Sequence, residues 1–440
     1  MNAQTAADGA QPLPHSPRGD RGRPWAVTAL TGLLVVVVWR ACFYFPLVWT
    51  ATGIGEADKP FLDLQNLLSA GEAAQHGIDP FVSNPYDPYH RLHGYTEWFL
   101  LTGKIGLTLK DTVWLGVVLL GLTLLSAVLL LRPTDWREGR MLALLLVSPP
   151  LLLAISRANH DLVVFVVMCV ALACLRAKRW PLRTLAVLLL AIAAALKYFP
   201  LAAAVLLLEA RTRRELLGWL SLYCFALLLA WPSLERGLQN AFLHQPAPSW
   251  LYAFGAPVVF RDFDLTVPIM WLRAVMLILA AAASWPALKA GPGAPSREDD
   301  REREFICGAV MVAGCFLHGS SYIYKMVFAL WMLPWLWRTR LAGGEDRWRK
   351  AILALLLGVM WFEGGVAILL NLLVFASAIP LDVAHNLLKT DLVLSQILSY
   401  ALVLCLIRSL VLYAAMHARR LIGPAPLSAR ILPAASDAQA

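Results

Sequence analysis

Apolar runs of roughly 20 residues recur along this chain, and they limit its fold more than any other feature. A helical run of that length matches the roughly 30 Å hydrocarbon core of a bilayer. In lipid, every backbone N–H and C=O must be satisfied inside a helix or a closed barrel. The runs lack the apolar–polar alternation of barrel strands, so an all-α, polytopic transmembrane helical bundle is expected. Apolar residues form 59% of the chain and charged residues 15%; soluble domains carry about 45–50% and about 25%.

About twelve spans are predicted, at 26–49, 112–131, 140–156, 160–175, 182–197, 199–209, 215–231, 267–288, 305–318, 321–338, 351–374 and 391–414. The segment 199–209 is too short to cross as a straight α-helix, so with its predecessor it is expected to form a broken or re-entrant pair. Residues 1–25 carry Pro12, Pro14, Pro17 and Pro24 and read as a disordered N-terminus. The first apolar run is long and lacks a small-residue cleavage pattern, so it reads as a retained span. The membrane domain covers 26–414, and 415–440 reads as a tail.

Lys and Arg set the orientation. Segments on the N-terminal side of the membrane hold 25 basic residues, those on the other side eight, and five fall within spans. Both termini are therefore expected in the cytoplasm and the protein in the inner (plasma) membrane, among its lipids. The net charge of +9 follows from this bias and implies no nucleic-acid partner. The seven cysteines fall in or near apolar runs without metal-type spacing and read as small core residues.

Two outer loops are substantial, 50–111 and 232–266. In the first, residues 61–76 read as an interfacial helix, with Phe61, Leu64, Leu67 and Leu68 on one side and Asp63, Asn66 and Glu72 in more polar directions. Asp63 beside an apolar face is expected to be partly desolvated, with a raised pKa suited to a base; an ordinary polar residue of such a helix is the other reading. Gly77 can end the helix. Tyr86 and Tyr89 suit either an interface anchor or a platform for a sugar.

Polar groups at membrane depth are costly and point to function. One cluster is the turn Ser156-Arg157-Ala158-Asn159-His160-Asp161. A second is Lys197-Tyr198-Phe199-Pro200, where Lys197 either snorkels or holds a phosphate. A third is His318 through Lys325, read as opening a span with its helix N-terminus free to meet an anion. Asp63, Asn159, His160, Asp161, Lys197 and His318 all fall near one face. Asp262-Phe263-Asp264 is a weak acid-x-acid match to a metal site, and no metal is assigned. There is no P-loop, dinucleotide fingerprint, H-E-x-x-H or G-x-S-x-G, and no cytoplasmic segment large enough for a nucleotide-sugar domain. Nothing calls for a cofactor.

At these residues the chain resembles the polyprenyl-phosphate-dependent C-type integral membrane glycosyltransferases. Within them it looks most like glycosyltransferase family 87, which includes mycobacterial phosphatidylinositol-mannoside mannosyltransferases. Asp63, the turns Gly77–Phe81 and Arg157–Asp161, the segment Ala194–Pro200 and His318–Tyr324 carry the likeness, in order over roughly residues 60–325. The second turn reads Asn159-His160-Asp161 where the family usually has Gly or Asn before Asp. The resemblance implies a hexose donor on polyprenyl monophosphate, mannose first among the sugars, and inverting transfer to a lipid or glycan acceptor outside the cytoplasm. It also implies Asp63 as catalytic base. Arg157, Asn159, His160, Asp161, Lys197, Tyr198, His318 and Tyr322 are the expected substrate-binding residues. The competing reading is a twelve-span secondary transporter or lipid flippase, with polar groups near the midplane.

Overall fold

Helix dominates the computed structural model of the chain, which describes residues 32, 60–133, 135–244, 252–258, 260, 265, 267–290, 300–319, 321–338 and 344–422. The span predicted at 26–49, the N-terminal 1–25, most of the 415–440 tail and the Asp262–Asp264 triplet lie outside the described residues.

The helices are α1 (Leu62–Gln75), α2 (Thr112–Leu131), α3 (Trp136–Leu146), α4 (Pro149–Arg157), α5 (Asp161–Arg176), α6 (Trp180–Leu196), α7 (Arg213–His244), α8 (Ile269–Ala290), α9 (Asp300–His318), α10 (Leu333–Arg338), α11 (Gly344–Phe375) and α12 (Leu381–Ile422). Two long 3₁₀ segments, Phe199–Glu209 and Ile323–Met332, short helical turns at Glu97–Leu100, Leu101–Lys104 and Leu109–Asp111, and a two-residue antiparallel ladder join them among the described residues. In the ladder, β1 (Ala253–Phe254) meets β2 (Ser321–Tyr322), with Ala253 opposite Tyr322. Among the described residues, five helices are long and apolar enough to cross a membrane, or six with the bent α3–α4 pair counted as one span. An all-α apolar bundle is thus what the described residues form.

α2 shows how the pattern works. A Thr108–Asp111 capping box leads into it. Gly116, Leu120, Thr123, Ala127 and Leu130 recur every three or four residues and are buried. Val113, Val117, Leu122, Leu125 and Leu129 face outward, as a lipid-facing stripe does. The run predicted as one span at 140–156 is broken: α3 and α4 meet at 59°. Pro149 opens α4 and has no N–H to continue the ladder of α3. The break expected before 199–209 occurs. α6 stops at Leu196, Lys197 is extended, and the chain continues as 11 residues of 3₁₀ helix. At about 2.0 Å per residue that segment rises about 22 Å, against about 16 Å for α-helix. Deeper in the bundle, Phe165 stacks on Trp331 with centroids 4.9 Å apart, and Trp331 Nε1 donates to Cys169 Sγ.

A helix forms where 61–76 was expected, but its polar side is not left open: Leu64, Leu67 and Leu68 are buried, and so are Asp63, Gln65, Asn66 and Ser69. The loop that follows covers its polar side. Asn66 Nδ2 donates to Asp87 at 3.2 Å, Asn84 Nδ2 to Ser69 Oγ at 3.1 Å, and Arg91 Nη2 to the Leu62 carbonyl at 2.9 Å. A Cβ on Gly103 would sit 2.0 Å from the Gly71 oxygen, so these two glycines permit the close approach. Tyr86 stacks on His76, and Tyr89 lies against Arg91.

Ion pairs collect at two opposite ends of the same helices. At one end Arg303 pairs with Glu209, Arg176 with Asp300 and Glu304, and Arg183 with Glu215, while Tyr413 donates to Glu209. At the other end are Asp161 of α5, Lys197 after α6 and His318 of α9. The second end carries the candidate site.

Candidate functional site

Asp63 lies in the first turn of α1, where helix N–H groups favour a carboxylate. The backbone enters α1 through Phe61, whose φ is 59° and whose N–H donates to the Ser156 carbonyl at 3.1 Å. That bond ties the start of α1 to the end of α4. The Phe61 ring is seated on Gly116, where a Cβ would approach it to 2.2 Å.

α4 ends on Ala158 in the left-handed conformation. Asn159 Oδ1 then accepts the Asp161 N–H at 2.8 Å and starts α5. This corner aims two side chains back at α1. Arg157 forks onto Asp63, Nε to Oδ2 at 3.0 Å and Nη2 to Oδ1 at 2.8 Å. Asn159 Nδ2 donates to Oδ2 at 2.5 Å. Bidentate, charge-assisted geometry of this kind is among the stronger polar contacts.

The expectation of a raised Asp63 pKa is corrected by these partners. Burial pushes the carboxyl up, but the Arg157 charge, its two hydrogen bonds and that from Asn159 outweigh burial and hold it below the usual carboxylate range. Asp63 is therefore an ionised, fixed acceptor at neutral pH.

Asp161 Oδ1 pairs with the Lys197 ammonium, and both residues are buried. Lys197 does not snorkel. It ends α6, and Tyr95 and Phe199 present their rings to it, with Nζ 5.2 and 5.4 Å from their centroids. Thr96 Oγ1 donates to the Leu196 carbonyl and holds the outer loop on this corner. His160 packs against Tyr95 and Phe99. Among the described residues, both its ring nitrogens and Asp161 Oδ2 are buried without a hydrogen-bond partner. Such atoms are uncommon in folded proteins and call for an explanation.

Tyr198 lies against His318, with ring centroids 4.2 Å apart. Arg157 covers the Tyr322 ring at 5.2 Å, and Tyr322 stacks on Tyr324. The role expected of the His318 segment as a helix N-terminus is corrected. His318 closes α9, and Arg273 donates to the Leu317 and His318 carbonyls there, both at 2.7 Å. The negative end of the helix dipole points this way. The next helical N–H groups begin only at Ile323, after the β2 ladder.

The corner thus joins Asp63, Arg157, Asn159, His160, Asp161 and Lys197 through direct contacts, with Tyr198, His318 and Tyr322 beside them. Tyr95 joins them without having been expected, and so do Tyr324 and Lys325, which fall in the polar cluster predicted at His318–Lys325 but were not named among the substrate-binding residues. A cation inside an apolar run was a signal for Lys325; nothing in the sequence marked Tyr95. A cavity of about 510 Å³ lies elsewhere, lined by Gln75, Glu97, Trp98, Leu101, Lys104 and Ser233, and does not include Asp63. Chemically, the corner offers an ionised carboxylate fixed by Arg157 and Asn159, with the buried Asp161–Lys197 pair starting two residues further along the chain.

Neither protein-family models, nor curated proteins, nor solved structures yield a match to this chain.

Proposed function

We propose that this chain is an integral membrane glycosyltransferase with about twelve spans. It moves a hexose from a polyprenyl-phosphate donor to a lipid or glycan acceptor on the outer face of the plasma membrane. One observation carries the reading: a carboxylate held ionised by Arg157 and Asn159 shares a corner with the buried Asp161–Lys197 pair, assembled from separate chain regions at one end of the bundle. The sugar rests on the resemblance, which favours mannose.

In this reading an acceptor hydroxyl attacks the anomeric carbon and Asp63 takes its proton. Arg157 keeps the carboxylate charged and aimed. The departing lipid phosphate is stabilised by nearby cations, with Lys197 foremost. A phosphate leaves readily, so single displacement with inversion needs no second catalytic acid of the glycosidase kind. Tyr198, His318 and Tyr322 border the site as contacts for donor or acceptor. A transporter or flippase would favour polar groups near the midplane, whereas this cluster sits at the ends of α4, α6 and α9.

The test offers purified protein labelled GDP-mannose and labelled polyprenyl-phosphate mannose separately, with one acceptor extract. Transfer is expected from the lipid-linked sugar alone. Asp63→Asn is expected to lower it by about 10²-fold or more, the usual worth of such a base, with normal membrane insertion. Efficient transfer from the nucleotide sugar without a polyprenyl carrier would defeat the reading. Retention of a tenth of the rate by Asp63→Asn would remove Asp63 as base.

A further inference from the structure

We infer that Lys325 binds the phosphate of the donor, and that its surplus charge selects a singly charged phosphodiester over a diphosphate. The inference deepens the glycosyltransferase reading and rests on it for the identity of the ligand.

Lys325 lies early in the 3₁₀ segment Ile323–Met332 and is only 6% exposed. Among the described residues no carboxylate lies within ion-pair distance of its ammonium. The group it meets is the Phe199 ring, 4.6 Å from Nζ to centroid. Lys197 approaches the same ring at 5.4 Å, so the two ammonium groups converge on one aromatic side chain.

The charges around this ring do not balance. Arg157 is matched by Asp63, and Lys197 pairs directly with Asp161. Asp161 also faces Lys325 from beyond ion-pair distance, as do Tyr198 and Cys315, so two lysines share one carboxylate and one positive charge is left over. His160 and His318 both face Lys325, and His160 faces Lys197 as well, so a proton on either would only enlarge the surplus. An uncompensated charge taken out of water is costly, and buried charges are normally paired. Here the cost is offset when an anion enters. The same corner holds Asp161 Oδ2 and the two His160 nitrogens, buried and unpartnered, which are further polar atoms for a ligand to meet.

The surplus fits the chemistry of the donor. A sugar–phosphate–prenyl linkage is a diester with one negative charge, equal and opposite to that of Lys325. In the transfer, the acceptor oxygen bonds to the anomeric carbon and the bond from that carbon to the phosphate oxygen breaks. Its electron pair stays on the phosphate, and the acceptor proton passes to Asp63. Charge then builds on the phosphate where Lys197 and Lys325 converge. A diphosphate would bring at least one further negative charge into a buried site with nothing to match it.

Binding of three short probes to the purified full-length protein tests this: farnesyl methyl phosphate (a diester with one charge), farnesyl diphosphate and farnesol. The diester is expected to bind the wild type at least tenfold more tightly than the other two. Lys325→Met is expected to weaken diester binding by about tenfold to a hundredfold, as the loss of a charge-assisted contact does. Lys325→Arg should stay within a few-fold of wild type. Unchanged diester binding by Lys325→Met would overturn the assignment. A wild-type preference for the diphosphate would overturn the selectivity, and this arm needs no variant to fold. Protein that binds the diester through Lys325 but moves no sugar from labelled polyprenyl-phosphate hexose would refute the glycosyltransferase reading and leave the anion site standing.

Discussion

Replacing Arg157 by Met removes the guanidinium from Asp63 while keeping an unbranched apolar side chain. The Asp63 side chain is 9% exposed and that of Arg157 22%. Breaking a buried pair from one side costs about 3–5 kcal/mol, and an exposed pair is worth about 0–1 kcal/mol. Arg157 is partly open and Asn159 still donates to the carboxylate, so the loss expected is about 3 kcal/mol, the low end of the buried range. Adding Asp63→Asn removes the stranded charge, so the double variant should recover part of that loss, with a coupling energy of about 2 kcal/mol. The pH dependence has a definite sign. The folded pKa of Asp63 lies below its ordinary value. Its contribution is thus present above the unfolded value and lost as pH falls through the folded one. Without Arg157, burial dominates and the carboxyl rises. The acid limb of the transfer rate should then move to higher pH than in the wild type. Denaturant unfolding in micelles and the pH–rate profile measure the two effects. A coupling energy below about 0.5 kcal/mol together with an unmoved acid limb would refute the pairing and the ionised-base argument with it.

Other outcomes follow from single positions. Burial pulls the His93 imidazole down to about 4 from 6.5, so the unfolded chain binds a proton first, and stability should fall by about 3 kcal/mol as pH drops from 6.5 to 4. His93→Phe should flatten that slope in thermal unfolding scans, and an equal slope would count against the buried neutral ring. Gly103→Ala places a methyl 2.0 Å from the Gly71 carbonyl, so a loss of about 1–3 kcal/mol or more is expected. An unchanged melting temperature would mean that the loop does not pack on α1 this closely. A cytoplasm-specific reporter fused after Arg420 should be active and one inserted near Tyr89 silent, from the 25-to-8 bias in basic residues. The opposite pattern would turn the Asp63 corner toward the cytoplasm.

The features readable along the chain are those set by local composition. Runs of apolar residues predict helices, and α2, α8, α11 and α12 lie where they predict. Pro200 and Gly77 punctuate the backbone through their own φ and N–H chemistry, and chain breaks occur beside both. Charge bias between loops groups Asp63, the Arg157–Asp161 turn, Lys197 and His318 together, and those residues gather at one end of the bundle. Partnership was not readable in the same way. Arg157 and Asp63 lie 94 positions apart, and whether a carboxylate near an apolar face is raised or lowered depends on which cation folding brings to it. Hydropathy windows add up apolarity and carry no direction, so the α3–α4 bend passed as one span although Pro149 stood in the run. Periodicity likewise placed the polar side of α1 in water, because it cannot register a loop that folds back with Asn84, Asp87 and Arg91 to cover it. The charge balance is the clearest case. The sequence marks Lys325 as a cation in an apolar run, as it marks Lys197, and only the packing of α4, α6, α9 and the 3₁₀ segments separates the two matched cations from the one left over. A residual charge is a sum over neighbours, and neighbours across a bundle exist only in the folded chain.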